Sequence, residues 1–138
     1  MNPFDKTLDD MPVEYRDRFQ ELLDRPGIRV PELSAELAQY VAAVHQLKAL
    51  SATIDLSTAE RIAEVLGTLL GEHERNGAEA QRLVQAAVEY FVREEDDEEI
   101  TGVLGFDDDI QVINAVIRSL GRPDLLIPFR RVDLGEEP

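Results

Sequence analysis

Nine carboxylates fall within the sixteen residues Glu94–Asp109, and they are the residues best placed to do chemistry. Glu94, Glu95, Asp96, Asp97, Glu98 and Glu99 form one run, and Asp107, Asp108 and Asp109 a second. No Lys or Arg interrupts the chain between Arg93 and Arg118. Carboxylates this close repel one another, so the fold must have a reason to keep them: a cation, a basic partner, or a helix end that favours negative charge.

For Asp107–Asp109 the simplest reason is capping. An Asp at the N-cap accepts backbone N–H bonds, and further acids in the first turn suit the helix macrodipole, each by about 0.3–1 kcal/mol. Glu94–Glu99 reads as a solvated face, which is what most charge runs are. The alternatives are a docking strip for a basic protein partner, or for the chain's own Arg118, Arg122, Arg130 and Arg131.

A cation is the other candidate. A calcium loop has the form Asp-x-[Asp/Asn]-x-[Asp/Asn]-Gly with an acid at position twelve, between two helices. Counted from Asp97, Gly102 and the apolar Leu104 fall in register and Asp108 takes the twelfth position. Glu99 at the third position is too long, and Thr101 at the fifth is a weak ligand. A looser, hydrated Ca²⁺ or Mg²⁺ site drawing on Asp96, Asp97, Glu99, Asp108 and Asp109 fits these residues better.

Other chemistry finds little to work with. His45 lies at the edge of an apolar stripe and is expected to be packed or half-buried; His73 follows a helix end and lacks the second His of a zinc-protease helix. Ser34, Ser51, Ser57 and Ser119 sit in helical or capping contexts with no Gly-x-Ser-x-Gly elbow, and no glycine loop could cradle a phosphate. Tyr40 and Tyr90 read as core residues with a wet hydroxyl. With no Cys, thiol catalysis and thiolate metal sites are excluded. No catalytic motif is found, so a non-catalytic protein is expected.

The elements that must carry these residues are helical. Tyr15, Phe19, Leu22 and Leu23 mark a first helix ending before Pro26-Gly27, and Leu33, Leu37, Tyr40, Val41, Val44 and Leu47 stripe a long second one from Pro31. Ser57 or Thr58 is the expected N-cap of a third, with Ile62, Val65, Leu66, Leu69 and Leu70 on one face. A fourth starts at Asn76 or Gly77 and carries Leu83, Val84, Ala87, Val88 and Phe91. A fifth opens at Asp107–Asp109, buries Ile110, Ile113, Val116, Ile117 and Leu120, and is capped by Gly121, with Pro123 starting a new turn. The pattern predicts an all-α fold: one compact bundle of about five helices over residues 1–138, with an acidic loop between the fourth and fifth. Residues 1–28 are expected as a helical appendage packed across the others, and residues 129–138 as a frayed tail.

Composition limits the partners. With 138 residues, 43% hydrophobic and 31% charged, the chain can bury a core without disulfides. The net charge of −15 comes largely from the acidic segment. Nucleic acid and anionic membrane surfaces both need clustered cations and are not expected; basic proteins and divalent cations are. No stretch approaches the roughly 20 apolar residues of a membrane span, so no membrane insertion is expected. The start of the chain lacks a basic, apolar leader, and the cytoplasm is the expected compartment. A homodimer is expected if the stripe on the second helix exceeds what one core buries.

The segment Tyr90-Phe91-Val92, the acidic run, and then Gly105-Phe106-Asp107-Asp108-Asp109 before an apolar helix resembles the YkvA-like family, a group of small, mostly bacterial helical proteins of unestablished function. The resemblance covers about Leu83–Leu120. Gly105, Phe106, Asp108 and Asp109 match its Gly-aromatic-x-Asp-Asp element; Asp96 or Asp97 and then Glu99 take the places of its loop aspartates. The family's loop is apolar and carries Pro, whereas here Glu94–Glu99 fills it with charge. The resemblance implies a fold more than an activity, and the charged filling argues against any role close to a membrane.

Overall fold

A computed structural model describes residues 4–50, 56–72, 77–92 and 107–128. They form six α-helices in chain order: α1 (Asp5–Asp9), α2 (Val13–Leu23), α3 (Val30–Lys48), α4 (Leu56–Gly71), α5 (Ala78–Val92) and α6 (Asp107–Ser119). A 3-10 turn, Pro123–Leu125, follows α6. There is no strand among the described residues, and the helices close on one all-α core.

The apolar spacing decides which faces are buried. In α4, Ala59, Ile62, Val65, Leu66, Leu69 and Leu70 are buried, while Glu60, Glu64, Gly67 and Thr68 face water. Each large apolar side chain so buried contributes about 1.5–3 kcal/mol. α5 lies at the centre and packs on α2, α3, α4 and α6, with every residue from Leu83 to Phe91 buried. Edge-to-face contact between Tyr40 and Phe91, ring centroids 4.7 Å apart, joins α3 to it.

Phe19, Leu22 and Leu23 of α2 are buried in the same core as α5, with Phe19 wholly covered. A short helix, α1, precedes α2. Five residues are too few to show an apolar period, and α1 is held from outside, by a Thr7–Ser119 hydroxyl contact of 2.5 Å and by packing on α6. Ser57 and Thr58, the expected N-cap positions, lie within α4, which already includes Leu56.

The end of α6 follows expectation in detail. Gly121 takes φ +73°, the left-handed region that glycine enters at no steric cost. The Arg122 N–H then donates to the Ile117 carbonyl at 3.1 Å and the Gly121 N–H to that of Arg118 at 3.1 Å, satisfying two terminal carbonyls in a Schellman arrangement. The acidic run Glu94–Glu99, the 129–138 tail, Ser51 and His73 lie outside the described residues.

Candidate functional site at the neck of the acidic segment

The chain leaves α5 at Val92 and re-enters structure at Asp107, the first residue of α6. α5 and α6 pack together, and the end of the one meets the start of the other. Tyr90, only 4% exposed, stands in the last turn of α5. Its hydroxyl donates to Asp108 Oδ2 at 3.2 Å, tying the last turn of α5 to the first turn of α6. Asp109 beside it is fully buried. Of the five residues considered for a cation, the structure therefore places Asp108 and Asp109 together at this neck. Asp96, Asp97 and Glu99 lie outside the described residues.

α2 supplies the other wall. The Phe19 ring lies 6.5 Å from that of Tyr90, and the Arg18 guanidinium carbon sits 5.4 Å from the Tyr90 ring centroid, a cation–π distance. Just past the end of α2, Arg25 Nε approaches the fully buried Glu89 Oε1 at 3.8 Å. Burial pushes the Tyr90 phenol well above its ordinary value; the negative charges of Asp108 and Asp109 and the hydrogen bond to Asp108 add to the rise, while Arg18 opposes it. Tyr90 is thus a fixed neutral donor at physiological pH and is unsuited to act as a base.

Among the described residues, no three His, Asp or Glu side chains are grouped so as to hold a metal ion. A shallow, open depression of about 350 Å³ lies on the α3 side of the end of α5, lined by Glu36, Gln39, Tyr40 and Val92. No described helix is long and apolar enough to cross a membrane.

Several side chains depart from expectation. Arg118 and Arg122, considered as internal partners of the acidic run, are engaged elsewhere. Arg118 pairs with Asp10 at 2.6 Å, and Arg122 with Glu72 and Asp124. The cation at the neck is instead Arg18 of α2. His45 is exposed and pairs across α3–α4 with Glu60 at 3.0 Å, since the stripe that buries Val44 turns the next residue to solvent.

Sequence reasoning also missed a row of polar residues along α5. Arg82 Nη1 donates to the Arg25 carbonyl at 2.9 Å. Gln85 takes two backbone groups at once: its Nε2 donates to the Pro26 carbonyl at 2.9 Å, and its Oε1 accepts from the Ile28 N–H at 2.8 Å. With Glu89 at Arg25, this row holds the α2–α3 turn. The available signal was Gln85 and Glu89, four residues apart, interrupting an otherwise apolar run.

Fold and site together define a small all-helical bundle in which Tyr90 of α5 is tied to Asp108 of α6. Comparison with family models, curated proteins and solved structures finds no match for the chain.

Proposed function

We propose that this protein is a non-catalytic interaction module of the YkvA-like type, docking a basic protein partner on Glu94, Glu95, Asp96, Asp97, Glu98 and Glu99 in the cytoplasm. The observation that carries this reading is the Tyr90–Asp108 hydrogen bond, which fastens the two ends of the acidic segment to each other and to the core. A strip closed at its base loses less conformational freedom on binding than a free tail, so more of its attraction for a cationic surface appears as affinity. The local concentration of negative charge also speeds encounter with such a surface.

The test is binding of a labelled Lys/Arg-rich peptide at low and at high salt. Affinity should fall steeply with salt and vanish when the six acids are replaced by Gln and Asn, while the helical melt is retained. Undiminished binding by that variant would sink the reading.

A second reading has one observation in its favour: Asp108 and Asp109 are held side by side in the first turn of α6. With Asp96, Asp97 and Glu99 they would form a Ca²⁺ or Mg²⁺ site and make the segment a cation-regulated switch.

A further inference from the structure

The depression at the end of α5 is a mixed surface. α3 lines it with Glu36, Gln39 and Tyr40, three and four residues apart and so on one face of the helix, and α5 closes it with Val92. Glu36 and Tyr40 are half-buried, and Gln39 is exposed. Tyr40 is fixed from behind by its edge-to-face contact with Phe91. Its hydroxyl and Glu36 Oε1 are both buried, so the fold sets the two side chains.

This lining has the parts that one long cationic side chain needs. Val92 and the Tyr40 ring offer apolar and aromatic surface for a stem and for the face of a guanidinium. Glu36 brings a carboxylate and Gln39 an amide oxygen, two acceptors for a planar fork of N–H donors. A lysine ammonium would use the charge but not the stacking or the paired acceptors. No cation lines the depression among the described residues. Glu94, the first acid of the strip, follows Val92 by two residues, a span of at most about 7 Å.

We infer that the depression receives a single arginine of the basic partner, next to the stretch that the acidic strip docks. Resting on the docking of a basic protein at Glu94–Glu99, this anchor supplies what the strip alone lacks. The strip attracts any cationic surface, whereas the depression selects one with an arginine at its edge.

The test titrates the full chain with a labelled oligolysine peptide ending in one arginine, at low salt. Glu36→Gln should weaken binding about tenfold, as for a close charge pair. Glu32→Gln, which removes the same charge one turn away at an exposed position, should weaken it less than about twofold. Replacing the peptide's arginine by citrulline, its neutral isostere, should cost the wild type about tenfold and the Glu36→Gln protein nothing further. Equal losses for Glu36→Gln and Glu32→Gln, or equal affinity of the wild type for the two peptides, overturn the anchor. Failure of the docking reading looks different: replacing the six acids of the strip then leaves affinity unchanged. A peptide that does not bind the wild type overturns both. Should Glu36→Gln not fold, Gln39→Ala decides: a loss of about threefold with the arginine peptide supports the anchor, and no loss overturns it.

Discussion

Two polar regions occupy the same buried helix and are built in opposite ways. Along the middle of α5, Arg82, Gln85 and Glu89 reach a turn of fixed shape, and the bonds of Arg82 and Gln85 end on backbone groups. At its end, Tyr90 meets two carboxylates of α6, and six more acids stand in the sequence between the two helices. The first region neutralises itself, whereas the second gathers like charge around a phenol that it holds protonated. A buried polar residue is therefore no sign of function in itself. What separates the two is whether its partners are backbone groups fixed by the fold or charges that leave an uncompensated field.

The largest effect should strike both regions at once. Phe19→Ala opens the seam between α2 and α5 and should cost about 3–5 kcal/mol in urea unfolding; a loss under about 1 kcal/mol would return α2 to the periphery. Gln85→Ala should cost about 1–3 kcal/mol, because two turn groups lose their partner. A neutral result would mean that the turn does not depend on the ridge.

Tyr90→Phe is the sharper test of the neck and should cost about 0.5–1.5 kcal/mol near neutrality. Its signature is in alkali. The folded-state value is raised above the unfolded value near 10, so between the two the native protein holds more protons than the unfolded one. Stability must then fall as pH rises above about 10, and Tyr90→Phe should flatten that fall. Chelator-stripped protein should melt at the same temperature with and without millimolar Ca²⁺ or Mg²⁺ at matched ionic strength, if docking alone is correct. A rise of several degrees that Asp108→Asn removes would instead make the neck a cation site.

The smallest effect should come from Arg122→Ala, whose shift in denaturation midpoint should be barely resolvable. Its hydrogen bond holds the Asp124 carboxyl below the usual carboxylate range. That contribution is present above the ordinary Asp value and is lost as pH falls through the lowered one. The wild-type advantage should therefore disappear in acid.

Much of this architecture was legible because it rests on local spacing. Ile62, Val65, Leu66, Leu69 and Leu70 are buried as their stripe requires, and Gly121 caps α6 in the left-handed region. The acids at the neck were legible as residue types, but their tie to Tyr90 was not, since eighteen residues separate donor from acceptor. Gln85 finds its partners 57 and 59 residues away, and nothing in the local pattern names them. Asn114 looked like one polar residue on an apolar helix until the chain beyond α6 folded back onto it. His45 sat at the margin of a stripe, where a few tens of degrees of helix rotation separate core from solvent.

The order in which the chain emerges from a ribosome gives the α2–α5 seam a further meaning. α2 is complete at Leu23, yet the surface that covers Phe19, Leu22 and Leu23 is not made until α5 ends at Val92. At about 5–20 residues per second, that apolar face waits several seconds for its cover. α1 waits longer still for α6, on which Thr7 and Asp10 find Ser119 and Arg118. α1 and α2 thus complete their packing late relative to their own synthesis, and Phe19 lacks its α5 cover until α5 has been made.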